Sequence, residues 1–357
     1  MNNFRVVFLS DWFGSPYKQL LADHLEPQEV YVEEYQQHRT FLPQVIEKGI
    51  PKILHLHSTL HNYLWEKTSS PLRWIRLCQF IAQIILLRLL GTKTVWTVHE
   101  WADKHNRGNR DIPSSYYALM GKFLHAIITH CDSVKREIVE AFHLQKNNKV
   151  FVVPHGNYID VYENQVSQQE ARDRLNIPAE DLVFLFFGNI YKYKGILEAI
   201  DAFKCLESDR LSFIIAGRLP QGQPELEEQI LDKIEDQKNI IFVPKKIPDQ
   251  DVQLYMNACD CVLTPYQTFT TSGVTLLSMS FGRACIAPSV GFFKDVLDES
   301  GSFLYDLNHE EGLLKAMQSA IAKREELPAM GKHNLQLAQQ CNWDYVAAET
   351  LNIYQGN

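Results

Sequence analysis

The chain has 357 residues, of which 45% are hydrophobic and 22% charged, and its formal net charge is −8. That length and composition bury a sizeable core as about two domains, which excludes disorder as the main state. The acidic balance, with a pI near 5.9, excludes nucleic acid as a main partner, because phosphate neutralisation needs clustered Lys and Arg.

Residues 4–9 are a largely continuous apolar run, the mark of a strand buried on both faces. No basic leader precedes it, so no secretory signal is expected. Gly14, Ser15 and Pro16 turn the chain into a helix through Leu20, Leu21 and Leu25. Strand-like runs recur at 52–56, 93–98, 126–129 and 150–153, with helical segments at 71–90, 114–124 and 133–142. The most lipid-like stretch, 77–90, is interrupted by Arg88 and is too short to span a bilayer.

Polar residues at 163–169 read as a linker, and the alternation then restarts. Strand candidates follow at 182–187, 211–216, 240–243, 261–264, 284–287 and 302–305, and helices close the chain at 310–324 and 343–354. Strands alternating with helices predict an α/β chain of two doubly wound, Rossmann-like domains facing a cleft. The expected domains are 1–165 and 166–342, with the terminal helix 343–357 packing back on the first. Seven cysteines without repeated spacing fit a reducing compartment rather than a disulfide framework. Cys259 and Cys261 read as core.

In open parallel sheets, ligands sit at the carboxyl ends of the strands. The loop after 182–187 reads Gly188-Asn189-Ile190-Tyr191-Lys192-Tyr193-Lys194-Gly195 and leads into an apolar helix. Gly188 allows close backbone approach. Lys194 stands at a helix start, where a cation opposes the helix dipole unless an anion joins it; the plain alternative is a solvated lysine in a turn. The loop after 261–264 runs through Thr270, Thr271, Ser272 and Gly273 into a helix beginning Val274-Thr275-Leu276. Ser272 is a natural N-cap, and such a helix start can hold a diphosphate; ordinary capping explains it equally well.

Taken together, these segments resemble the donor-binding domain of glycosyltransferases with the glycosyltransferase-B fold. The retaining branch of that family, family 4 or group 1, has a Gly-Arg pair, a short loop and a Lys-Gly pair after its first strand. Gly188, Lys194 and Gly195 match, whereas Asn189 replaces the Arg. Ile214-Ile215-Ala216-Gly217, the stretch from Asp249-Gln250-Asp251-Val252 to Ala258-Cys259-Asp260, and Gly282-Arg283-Ala284-Cys285-Ile286-Ala287 resemble further family segments. The branch carries two Glu residues at positions that are Phe269 and Leu277 here. The Thr-Ser-Gly-Val version instead resembles bacterial exopolysaccharide and lipid-linked oligosaccharide enzymes, mannosyltransferase-like members among them. Retention or inversion is therefore open. In the first half, Gly14-Ser15-Pro16-Tyr17, Val95-Trp96-Thr97-Val98-His99-Glu100 and Val153-Pro154-His155-Gly156-Asn157 resemble family segments, as does the helix starting Trp343-Asp344-Tyr345.

The resemblance implies a hexosyltransferase. A nucleotide-diphosphate sugar such as a UDP- or GDP-hexose would bind Gly188, Asn189, Lys194, Arg218, Thr271, Ser272, Gly273 and Val274. A saccharide or polyprenyl-linked acceptor would lie near Asp11, Gly14, His99 and Glu100. His99 and Lys194 are the catalytic candidates: His99 hydrogen-bonds the sugar and Lys194 stabilises the departing diphosphate. For an inverting reaction, Asp11, Glu100 and Asp103 compete as general base. Closure of the two domains would exclude water. No metal or other cofactor is expected, since Asp249-Gln250-Asp251 reads as a helix cap rather than a metal site. His55, His57 and His61 read as structural or as acceptor-pocket lining. Segment 71–90 carries Arg73, Arg76, Gln79 and Gln83 as a narrow polar stripe; it reads as a buried domain helix, with a helix resting on a membrane as the alternative. The expected location is cytoplasmic, with peripheral contact on the inner membrane face under that alternative. A nucleotide-sugar epimerase and a non-catalytic nucleotide-sugar-binding protein are the rival readings. A dinucleotide oxidoreductase is disfavoured because no Gly-x-Gly-x-x-Gly follows residues 4–9.

Overall fold

The computed structural model describes residues 4–10, 16–57, 70–101, 114–145, 148–220 and 224–356. Asp11, Gly14, His61 and Asp103 lie outside the described residues. Among those described, two six-stranded sheets form, and every neighbouring pair is parallel. The first contains β1 (Phe4–Ser10), β2 (Val30–Gln36), β3 (Ile53–Leu56), β4 (Lys93–Thr97), β5 (Ala126–Thr129) and β6 (Val150–Val152). Its order is β2-β1-β3-β4-β5-β6. The second contains β7 (Leu182–Phe187), β8 (Leu211–Ala216), β9 (Ile240–Val243), β10 (Cys261–Leu263), β11 (Ala284–Pro288) and β12 (Ser302–Tyr305), in the order β12-β11-β10-β7-β8-β9. Each order reverses direction once, between β1 and β3 and between β7 and β10. A crevice for a ligand opens at such a reversal, outside the carboxyl ends of the strands.

The apolar runs have the physical origin the sequence suggests. In the second sheet Phe184, Phe186, Phe213 and Ile215 enter one core, while Val183, Leu185, Ile214 and Ala216 enter the core on the opposite face. Both faces are covered, so the strands cannot alternate polar with apolar. Strand β2 escaped the sequence reading for the opposite reason. It is an edge strand of sequence VYVEEYQ, and its Glu33 and Glu34 pair with Arg5 and Lys18 instead of entering a core.

The chain divides into two units, Met1–Gly156 with Cys341–Asn357, and Asn157–Gln340. Residues 157–165, assigned from sequence to the end of the first domain, are bonded within the second unit. Asn157 Nδ2 donates to Ala338 O at 2.9 Å, Tyr158 N to Ser280 Oγ at 2.9 Å and Gln165 N to Gln253 Oε1 at 2.9 Å. The terminal helix Trp343–Gln355 packs in the first unit, where Trp343, Val346 and Tyr354 join the core of Val6, Phe8 and Val95.

Helix Ser70–Leu89 corrects an expectation. The sequence reading made it a buried domain helix, but only one of its faces is buried, with Leu77, Phe80, Ile84 and Leu87. Arg73 and Gln83 are buried, whereas Leu72, Ile75, Leu86 and Leu89 are exposed.

Candidate active site

The reversal between β7 and β10 brings together the two loops singled out in the second half. After Phe187 the chain turns at Gly188, with φ +91°. Gly188 N donates to Ala216 O at 3.0 Å and Ile190 N to Arg218 O at 2.8 Å, tying this loop to the one after β8. A Cβ built on Gly188 would lie 3.2 Å from Val274 Cγ2, so the turn reaches the start of helix Gly273–Ser280. Residues Lys192–Lys194 form a short 3-10 turn, and Gly195, at φ +72°, opens helix Ile196–Lys204. A Cβ there would stand 2.1 Å from Pro265 O. Gln267 N donates to Tyr193 O at 2.8 Å, and Lys194 Nζ lies 5.1 Å from the Tyr266 ring centroid, a cation–π contact.

Ser272 caps helix Gly273–Ser280, its Oγ accepting from Thr275 N at 3.2 Å. The amides of Gly273 and Val274 belong to the first turn and have no partner inside the helix. Gly188, Asn189, Lys194, Arg218 and 271–274 thus lie at the carboxyl edges of neighbouring strands β7, β8 and β10. Two residues the sequence reading passed over extend this edge. Lys245 and Lys246 are exposed just after β9, and the available signal was a lysine pair directly following a strand. With Lys192, Lys194 and Arg218, they give an acidic chain a cationic margin beside a helix start, an arrangement that attracts an anion.

Residues 181–323 match the family Glycosyl transferases group 1. A GDP-mannose:glycolipid 4-beta-D-mannosyltransferase of Xanthomonas campestris pv. campestris is 24% identical over 282 residues, 78% of this chain and 73% of that one. The chain is a glycosyltransferase with a group 1 domain. Solved structures extend the likeness to both units. HepE of Anabaena, solved with UDP, superposes with a TM-score of 0.76 at 14% identity, covering 99% of this chain and 100% of that one. Sucrose-phosphate synthase of Thermosynechococcus elongatus gives 0.75 at 15% identity, covering 99% and 98%. The fold is glycosyltransferase-B.

In this glycosyltransferase the two positions that the retaining branch fills with Glu take part in apolar packing. Phe269 packs on Phe293, with ring centroids 4.5 Å apart, over Gly291. Leu277 is buried in the core with Leu185 and Val262. Asp249 and Asp251 belong to a 3-10 turn, and neither side chain makes the expected cap hydrogen bond. Cys259 and Cys261 are buried, and burial pushes the Cys259 thiol up to about 12.

The first unit gathers histidines where its strands end. His57, after β3, places Nδ1 3.3 Å from Nε2 of half-buried His99, after β4. Glu100 is half-buried beside His99. His130 after β5 and His155 after β6 complete the group around Tyr17, whose ring centroid is 4.8 Å from His99, 5.4 Å from His130 and 4.8 Å from His155. His55 lies deeper, with Nδ1 2.5 Å from Tyr354 Oη and Nε2 2.7 Å from Thr97 Oγ1. Both of its ring nitrogens are thereby engaged within the unit.

Burial removes water from these rings and disfavours their charged form. His55 and His155 are pushed down to about 3 and His130 to about 4. His57 and His99 fall well below the usual histidine range, first through burial and then through neighbouring imidazoles. The sequence reading missed His130 and the hub Tyr17. Each follows or precedes an ordinary apolar run, and nothing local says that five strand ends converge.

Proposed function

We propose that this glycosyltransferase moves a hexose from a nucleotide-diphosphate sugar to a saccharide or lipid-linked acceptor, without a metal, in polysaccharide or glycolipid synthesis. The observation that carries the reading is the junction of the Lys194 turn with the Ser272-capped helix start. Gln267 N bound to Tyr193 O at 2.8 Å holds the two loops in register. The donor diphosphate lies between Lys194 and the Gly273 and Val274 amides. Negative charge grows on that diphosphate as the sugar leaves, so fixed donors and cations placed there stabilise the transition state more than the ground state. Arg218, Lys245 and Lys246 add positive charge along the same edge.

The first unit takes the acceptor beside His99 and Glu100. His99 is neutral at physiological pH, so it offers the sugar a hydrogen bond rather than a charge. The glycolipid named for the Xanthomonas relative supports a lipid-linked acceptor, and its GDP-mannose supports a GDP- or UDP-hexose donor. The reaction belongs on the cytoplasmic side, where nucleotide sugars are the substrates.

A thermal-shift screen across UDP-, GDP-, ADP- and dTDP-sugars identifies the donor, because a ligand bound only by the folded chain raises Tm. With that donor, Lys194→Ala lowers kcat/KM by roughly 10²–10³-fold, the usual cost of losing one charge-stabilising contact in a transition state. An unchanged kcat/KM refutes the assignment. Consumption of donor without any acceptor indicates an epimerase, and stabilisation without turnover indicates a binding protein.

A further inference from the structure

Strands β3, β4, β5 and β6 lie side by side, and a histidine stands within three residues of each carboxyl end: His57, His99, His130 and His155. The His130 side chain ends among the rings of His99, His155 and Tyr17, whose centroids are 5.4, 5.1 and 5.4 Å away. It is 3% exposed. Its Nδ1 lies 3.0 Å from Val153 O. A carbonyl oxygen only accepts, so the ring proton sits on Nδ1 and Nε2 carries a lone pair. His155 is held in the same way, with Nδ1 2.7 Å from Gly156 O.

Nε2 of His130 is buried, and among the described residues no donor reaches it. A buried acceptor left unmet costs stability, so one that a fold keeps calls for an explanation. Burial pushes the ring down to about 4, so protonation does not satisfy the atom at neutral pH. The surroundings narrow what does. A lone pair repels an anion. The charge of Lys18 bears on His57 and His99, which disfavours a cation. Among the described residues no three His, Cys, Asp or Glu side chains are placed to hold a metal ion. A neutral hydroxyl remains, and a sugar carries several.

We propose that His130 is a binding residue of the acceptor site, its Nε2 accepting a hydrogen bond from one hydroxyl of the acceptor sugar. The bond to Val153 O fixes tautomer and ring orientation before the sugar arrives, so recognition costs no rotation. Half-buried His99 gives the group an exposed margin, and the carboxyl ends of parallel strands are where such a sheet takes its ligands. His130 moves no proton. It is a neutral acceptor that selects for a hydroxyl at one position, and a sugar lacking that hydroxyl leaves the atom unpaired. The inference rests on the reading that the first unit takes the acceptor, and it adds which nitrogen reads the sugar.

The full chain, carrying isotope-labelled histidine, is followed by nitrogen NMR at neutral pH. The His130 signals are identified by their absence from His130→Asn, whose amide nitrogen still donates to Val153 O, or from His130→Gln. In the free chain they are those of a neutral ring with its proton on Nδ1. Octyl glucoside, octyl galactoside and octyl mannoside are added in turn, and at least one is expected to move the Nε2 resonance without a proton being taken up. His130→Asn then weakens binding of that glycoside by roughly three- to tenfold, the worth of one hydrogen bond. His130→Gln, whose side-chain oxygen reaches the Nε2 position, restores part of it. A proton on Nε2 in the free chain overturns the proposal, as does an Nε2 resonance that none of the three moves, which leaves water as the partner. Equal binding by His130→Asn and the unaltered chain overturns it too. Donor-induced thermal stabilisation is recorded on the same proteins. Its retention beside an unmoved Nε2 resonance leaves the catalytic reading intact, and its absence beside a responding His130 removes only the donor reading.

Discussion

His55, His130 and His155 show how a single buried side chain couples to solution conditions. Each imidazole is harder to protonate in the folded chain, at about 3, 4 and 3 respectively, than when unfolded, near 6.5. The unfolded chain therefore binds more protons as pH falls below 6.5, and the stability held above that value is lost on the way down to the folded values. Each ring loses about 1.4 kcal/mol per pH unit in that window. Urea unfolding should show a clearly lower midpoint at pH 5 than at pH 7. Coincident midpoints would mean that these rings are charged or wet. At this scale the sequence was informative where a residue had local company. His99, at the end of an apolar run and followed by Glu100, was legible as a candidate. His130 was not, because its significance lies in Tyr17 and His155, which are distant in the chain.

Among the elements, the loops after β7 and β10 act as one piece. Gly195 is the contact that no other residue can make. Its φ of +72° strains any side chain, and a Cβ would collide with Pro265 O at 2.1 Å. Gly195→Ala should cost about 1–3 kcal/mol of stability and shrink donor-induced stabilisation, as the turn moves off the Tyr266 loop. Chemical denaturation and the thermal shift measure the two effects separately; a variant matching the parent in both would show the loops to be independent. The Lys194-Gly195 pair and the Ser272-Gly273 cap were visible because glycine, a capping hydroxyl and an apolar helix mark such a junction locally. The outward face of helix Ser70–Leu89 was not visible. Its polar residues recur at helical spacing, and periodicity separates two faces without saying which one meets solvent. Edge strand β2 was missed because partners on one side let it keep charged residues.

For the whole molecule, the last helix decides whether the first unit can fold. Trp343, Val346 and Tyr354 complete its core, and Gly156 leaves the space for the Trp343 ring, 2.3 Å from where a Cβ would stand. A chain ending at Gln340 loses roughly 5–9 kcal/mol of apolar burial from these side chains, as much as a domain's entire stability. The first unit should then be cleaved rapidly by protease while 157–340 persists as a resistant fragment. Equal resistance of both units would show that this helix is dispensable.

By itself the sequence determined the parallel α/β class, eleven of the twelve described strands, and the two loops that mark the donor edge. These are local signals: apolar runs covered on both faces, glycines at tight turns, hydroxyls at helix starts. Only the tertiary structure decided the strand orders, the convergence of histidines on Tyr17 and which face of helix Ser70–Leu89 is buried. A side chain's polarity states whether it prefers water, but the neighbour it meets instead depends on which strands lie side by side, and that is settled by packing across the whole sheet.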